Sequence, residues 1–166
     1  MTFIRAALAG ACLVVLGAPA LRAQNDIGIA VGATAPAAAV HTLDGQTVNL
    51  SQYLGKGPVL LEFWATWCSN CKELEPKLLR LVKQYSPRMT FIDVAVSVNQ
   101  SPERVKRYVE KYHYTHHMVY DTDGNAVTAY DVPATSYVVI IDKAGKVVYT
   151  GLGGDQDLEA AIKKAI

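Results

Sequence analysis

Cys68 and Cys71 stand two residues apart in Trp67-Cys68-Ser69-Asn70-Cys71. Thiols at this spacing can close a small disulfide ring and open it again by exchange with another disulfide. The pair follows the apolar run Val59-Leu60-Leu61-Glu62-Phe63-Trp64-Ala65, which reads as a strand delivering the cysteines to the start of a helix. Unpaired N–H groups at a helix N-terminus favour the thiolate of the first cysteine. This context points to redox chemistry rather than half of a zinc site. Tetrahedral zinc would need two more ligands, and the chain has no second cysteine pair.

The elements that must position the pair can be read from the pattern around it. Val59 to Ala65 is apolar on both faces apart from Glu62, as a central parallel strand should be. Leu74, Leu78, Leu81, Val82 and Tyr85 recur at helical spacing after the cysteines. Pro76 falls inside that helix and is expected to kink it. Phe91 to Val96 is the next strand, making residues 59–96 a βαβ unit. Ser101-Pro102-Glu103 starts a second helix with an N-cap serine and a proline in the first turn. Its buried face is expected at Val105, Tyr108, Val109 and Tyr112. His117 to Tyr120 is a short strand ended by Asp121-Thr122-Asp123-Gly124, and residues 125–130 read as a helical turn. Asp121 and Asp123 lack the spacing of a calcium loop. Ser136 to Ile141 and Lys146 to Tyr149 form a hairpin about Asp142-Lys143-Ala144-Gly145. Leu158, Ala161, Ile162 and Ala165 mark a closing amphipathic helix. Upstream, Val40 to Leu43 and Gln46 to Leu50 flank Asp44-Gly45, a hairpin signal.

The 166 residues begin with a stretch that has the form of an export signal. Arg5 is followed by an apolar segment from Ala6 to Gly17, which is short for a membrane span. Small-residue cleavage sites follow at Ala18-Pro19-Ala20 and at Ala23 before Gln24. The alternative is an uncleaved anchor. A lipoprotein site at Cys12 is disfavoured because Cys12 lies inside the apolar stretch. The chain thus divides into a signal at 1–23, a flexible tether at 24–33 and one domain at 34–166. Cleavage after Ala23 lowers lysine plus arginine from 16 to 14 against 15 acids, a net charge of about −1. That balance offers no electrostatic case for nucleic acid. Cys12 leaves with the signal, so only Cys68 and Cys71 remain. A disulfide closing so short a loop adds little to folding and is better explained by chemistry.

Over residues 31–166 the chain resembles the thioredoxin superfamily, in particular its exported TlpA-like branch. The carriers are Val31-Gly32 with Ala35-Pro36, Leu43-Asp44-Gly45 before Leu50-Ser51, Phe63-Trp64-Ala65-Thr66-Trp67-Cys68, and Val132-Pro133-Ala134-Thr135. AhpC-like peroxidases share the opening segment. The resemblance implies an α/β thioredoxin-like fold: a central mixed sheet flanked by helices, with an N-terminal β-hairpin extension. It implies Cys68 as the attacking thiolate and Cys71 as the resolving thiol. Glu62 matches a buried acid beneath the second cysteine that helps to deprotonate it. Pro133 matches the family's cis-proline, which sets the Val132 backbone against the cysteines, where an extended peptide can pair with it. Trp67 is expected beside the disulfide as a contact surface for partners, and Trp64 in the core. Lys72, Glu73 and Glu75 read as solvated helix face. The chain departs from the branch in two places. Leu74 stands where cytochrome c maturation members often carry an acid, and Ser69-Asn70 lacks the common proline.

The expected function is therefore an exported thiol–disulfide oxidoreductase in the periplasm or cell envelope, acting as a reductase on protein disulfide or dithiol substrates. No nicotinamide or flavin motif occurs, so no cofactor is expected and a membrane electron donor must supply the reducing equivalents. A monomer is expected. One alternative is a copper-binding assembly factor, suggested by His113, His116 and His117. The Sco-type carriers of this fold use a Cys-x-x-x-Cys spacing, however, and no metal site is expected. A thiol peroxidase is a weaker alternative, because Leu61 and Ala65 stand where its proline and threonine should be.

Overall fold

The computed structural model describes residues 28–166. The expected signal at 1–23, the Cys12 position and residues 24–27 lie outside the described residues. The elements are β1 (Ala39–Thr42), β2 (Thr47–Asn49), β3 (Val59–Trp64), α1 (Ser69–Tyr85), β4 (Thr90–Val96), α2 (Pro102–Lys111), β5 (His117–Asp121), α3 (Asn125–Ala129), β6 (Tyr137–Ile141), β7 (Val147–Leu152) and α4 (Leu158–Ala165). The strands form one mixed sheet in the order β2-β1-β5-β4-β3-β6-β7. β3, β4 and β5 are parallel, while β6 and β7 continue the sheet antiparallel on one side and β1 and β2 on the other. β3 is thus central, as its continuous apolar run requires.

The alternation of side chains along β3 and β4 sorts the core into two faces. Leu61, Phe63, Ile92 and Val94 point to a cluster closed by Tyr130, Tyr137 and Val40. Leu60 and Phe91 point the other way, against Leu74, Leu78 and Leu81 of α1 and Leu158 and Ile162 of α4. Trp64, Ala95 and both cysteines form a third cluster above them on that second face. Glu62 and Asp93 lie in register between these two apolar clusters.

As expected, Pro76 lies inside α1, which runs from Ser69 to Tyr85; Lys72 O loses its usual donor there. Three expectations change. Residues 28–33 do not hang free. Ile29 N–H donates to Tyr130 O (3.2 Å) and Gly32 N–H to Val147 O (2.8 Å), while Val147 N–H donates to Ala33 O (2.9 Å). Gly28 lies so close to Tyr137 that a Cβ would overlap its hydroxyl. Small residues suit a tether, but here they allow the backbone to pair closely with the domain. Second, in α2 only Val105 is fully buried, and Tyr112 at the helix end is 44% exposed. Third, the Val132–Pro133 bond is trans, since no described peptide bond is cis. Trans is the lower-energy form by about 0.5–1 kcal/mol. The loop reverses instead through Asp131 and Ser136, both at positive φ.

The short α3 depends on one buried carboxylate. Its N-cap is Gly124, which offers no side chain. Asp121, at the end of β5 and 1% exposed, accepts from Ala126 N–H (3.2 Å) and Val127 N–H (2.8 Å). Asp121→Ala leaves those donors unpaired and is expected to destabilise the fold by about 1–3 kcal/mol, with Asp121→Asn losing less. Denaturant titration should show a lower midpoint at unchanged slope; an unchanged midpoint for Asp121→Ala would show that solvent replaces the cap.

Candidate active site

β3 ends at Trp64 and α1 begins at Ser69, so the intervening turn must bring Cys68 to the helix N-cap. The Cys68 backbone is extended, and Cys71 N–H donates to Cys68 Sγ (3.0 Å). A sulfur in that position is held by a helix-terminal donor and favoured as an anion when reduced. Cys68 and Cys71 are joined as a disulfide, with Cα atoms 5.3 Å apart. Both are buried, at 4% and 5% exposure, while Trp67 beside them is 40% exposed.

The turn is fixed from outside by residues that carry no motif. Thr66 N–H donates to Gln100 Oε1 (2.9 Å), and Gln100 Nε2 donates in turn to Val96 O (2.6 Å). Trp67 Nε1 donates to Val98 O (2.8 Å). Tyr120 Oη donates to Gln100 O (2.7 Å). The loop after β4 thereby clamps the cysteine turn. Gln100 was not legible as a site residue; a polar side chain just before the Ser-Pro helix start gave no chemical signal.

Trp67, Val96, Val98, Val127, Val132, Ala134 and Thr135 line an open apolar cavity of about 390 Å³ beside the disulfide. Val132 is half-buried, and its N–H donates to Val127 O (3.0 Å). Pro133 is exposed. The loop is anchored by Ser136, whose N–H donates to Phe63 O (2.8 Å) and whose Oγ donates to Gly153 O (3.0 Å). Gln156 Nε2 donates to Ser136 O (3.1 Å). These bonds tie the Val132–Thr135 segment directly to the end of β3.

Glu62 is 3% exposed, and its Oε1 has no hydrogen-bond partner. Burial lifts its carboxyl well above the ordinary value of 4.5, helped by the negative charge of Asp93 and then of Glu75. Glu75 is not simply solvated. It follows Cys71 by four residues, on the same helix face, and accepts from Tyr108 Oη (2.9 Å). Burial and Glu75 together push the Tyr108 hydroxyl upward, so it donates rather than ionises. Trp64 is core, with its ring 5.4 Å from that of Tyr108 and stacked on Tyr114 at 6.0 Å.

The three histidines of the α2–β5 connection go separate ways. His113 is exposed, at positive φ. His117 places its ring 5.0 Å from Tyr53. His116 turns inward to Asp93 (Nε2 to Oδ2, 2.7 Å). Among the described residues no group of three or more His, Cys, Asp or Glu side chains is arranged to hold a metal ion.

Glu62 also makes stability depend on pH. A carboxyl whose folded value is raised contributes stability that is full below its unfolded value near 4.5 and is lost as pH rises through the folded value. Glu62→Gln stays neutral throughout. Oxidised wild type and Glu62→Gln are expected to differ little in pH dependence at about pH 4, with the variant gaining steadily toward about pH 8. Paired denaturant melts across that range test the sign; wild type gaining with pH would mean that the fold favours the carboxylate.

The description Redoxin matches residues 30–166. The thiol-disulfide oxidoreductase ResA of Geobacillus thermodenitrificans is 34% identical over 133 residues, covering 79% of this chain and 75% of that protein. The thioredoxin-like protein YneN of Bacillus subtilis is 30% identical over 140 residues, covering 82% and 81%. The crystal structure of the thioredoxin domain of a thiol-disulfide oxidoreductase from Bacteroides vulgatus superposes with a TM-score of 0.71 at 25% identity, covering 83% of this chain and 99% of that one. With a closed Cys68–Cys71 pair at the head of α1, the chain belongs to the Redoxin family and is a TlpA-like thiol–disulfide oxidoreductase of thioredoxin fold.

Proposed function

We propose that the protein is an exported reductase of protein disulfides. The observation that carries this reading is the placement of Cys68: an N-cap sulfur held by the Cys71 N–H, beside an open apolar cavity of about 390 Å³. In this reading Cys68 is the nucleophile. Its thiolate attacks a partner disulfide, forming a mixed disulfide and releasing the partner's other sulfur as a thiolate. Cys71 gives its proton to Glu62 and attacks the Cys68 sulfur. The Cys68–Cys71 bond forms, the bond to the partner breaks, and the partner leaves with two electrons gained.

Trp67, Val132 and the segment through Pro133 receive the partner's chain beside the cysteines. With Pro133 trans, the apolar lining does more of this work than a preset proline bend. The export signal read at Arg5 and Ala6–Gly17 supports action outside the cytoplasm, in the periplasm or cell envelope. Repeated turnover there needs an upstream dithiol donor in the membrane. No helix among the described residues is long and apolar enough to cross a membrane.

In an insulin reduction assay driven by dithiothreitol, Cys68→Ser should fall to background, while Cys71→Ser should accumulate a mixed disulfide with the substrate on non-reducing gels. Trapping by Cys68→Ser would reverse the roles. Equilibration with glutathione should give a potential nearer the reducing end of the roughly −270 to −120 mV range of such proteins. A value at the oxidising end would make the protein a disulfide donor.

A further inference from the structure

Glu62 and Asp93 occupy matching positions on adjacent parallel strands, so their side chains share one face of the sheet. Both are buried, and Glu62 Oε1 and Asp93 Oδ1 each lack a hydrogen-bond partner. Two carboxylates in such a place repel each other, and burial weakens the solvent screening between them. Among the described residues His116 answers the second charge. His116 Nε2 meets Asp93 Oδ2 at 2.7 Å, and the two side chains are 2% and 1% exposed. His116 also lines a cavity of about 190 Å³ with Met89, Thr90, Thr115 and His117.

We propose that His116 is a positioning residue for Glu62, acting through Asp93: its imidazolium neutralises Asp93, and that neutralisation favours the Glu62 carboxylate that accepts the Cys71 proton. The inference rests on the role given to Glu62 above. The groups around this unit are few. Asp93 comes from β4 and Glu75 from α1, and Tyr108 from α2 donates to Glu75. Tyr114, from the connection before β5, lies with its ring 5.3 Å from His116. Burial alone would pull the His116 imidazole down, but the charge and the hydrogen bond of Asp93 outweigh it and hold the proton on. Tyr108 and Tyr114 are both raised, chiefly by burial, and stay neutral donors. Among these groups, then, His116 is the cation.

The two neighbours should act on Glu62 with opposite signs. Removing the Asp93 charge lets Glu62 ionise at lower pH. Removing the His116 charge leaves Asp93 uncompensated and drives Glu62 to ionise at higher pH. A charge at this range moves a carboxyl by about one pH unit or more. His116 should have no effect once Asp93 is neutral, because it acts through Asp93.

The test uses pre-reduced protein mixed with dithiodipyridine in a stopped-flow instrument. Cys68 attacks the reagent and releases one thiopyridone; Cys71 then closes the disulfide and releases the second. The rate of the second release is followed against pH. His116→Gln is expected to move its inflection about one unit or more toward alkali, about tenfold slower closure on the acid limb. Asp93→Asn should move it toward acid. Asp93→Asn with His116→Gln should match Asp93→Asn alone, and this pair replaces the single His116 variant should that fail to fold. Shifts of the same sign, or unshifted profiles with only lower melting temperatures, would overturn the proposal. Glu62→Gln separates the two layers. If it removes the inflection while His116→Gln and Asp93→Asn leave it in place, Glu62 remains the base and His116 is structural. If it leaves the inflection intact, Glu62 is not the base and both readings fall.

Discussion

Two acids buried side by side in the sheet constrain most of what surrounds the disulfide. Glu62 and Asp93 are register partners on the central parallel strands, and burying two like charges there is strongly unfavourable unless one is neutral and the other paired. Burial keeps Glu62 protonated well above the ordinary carboxyl range, and His116 is drawn into the interior to meet Asp93. Trp64, Tyr108 and Tyr114 pack their rings together on α2 and its neighbours, and the Tyr108 hydroxyl donates to Glu75. Apolar side chains of similar volume often stabilise a fold as well as or better than a buried ion pair. A sheet with abundant Val, Ile and Leu on either side of the row had that option open to it. Its polar row is consistent with the proton transfer proposed for Glu62 and is not accounted for by stability alone.

Chemistry and recognition are separated across the cysteine turn. On the strands that lead to it, Glu62 and Asp93 are buried in register. Beside it lies an apolar cavity, open to solvent and lined from four different segments of the chain. The turn between them can stay rigid because Gln100 and Val98 hold Thr66 and Trp67, and Ser136 ties the far wall to Phe63 O. In the proposed exchange rigidity matters because the Cys71 sulfur must line up with the Cys68–partner bond that it breaks. The capping bond from Asp121 belongs to the same scheme, since it sets α3 and with it Val127 at the cavity edge.

The order of elements was legible because each carries a strong periodic signal: the apolar run of β3, the Leu74–Tyr85 stripe of α1, and the Ser101-Pro102 start of α2. The cysteines and Glu62 were legible for the same reason, since each is chemically conspicuous in its element. What escaped was whatever depends on the third dimension alone. Glu75 looked solvated because α2 and its Tyr108 are distant in sequence. Asp93 sits in an apolar strand much as Glu62 does, yet nothing local reveals its alignment with Glu62. The chain at 28–33 reads as a linker because it packs through backbone bonds rather than large side chains. Pro133 shows the reverse case. Family resemblance supplied a cis bond, and the loop instead turns through Asp131 and Ser136, neither of them a residue type that announces a positive φ strongly enough to be read from sequence.

The same geometry weighs against the alternatives that the fold allows. A metal carrier would need His116 or its neighbours turned toward the cysteines as ligands. His116 cannot hold Asp93 and serve a metal with the same nitrogen, and its ring lies among Tyr114 and Asp93 and does not line the cavity beside the disulfide. A peroxidase would need polar groups around the attacking sulfur to orient and polarise a small oxidant. Here the cavity next to the disulfide is lined mainly by valine, alanine and tryptophan side chains, and Leu61 and Ala65 occupy the positions from which a proline and a threonine would shape such a pocket. An apolar wall favours a ligand that brings its own hydrogen-bonding backbone and its own side chains to bury. A polypeptide carrying a disulfide meets both conditions, which is why the apolar wall supports the proposal of protein substrates for exchange at Cys68.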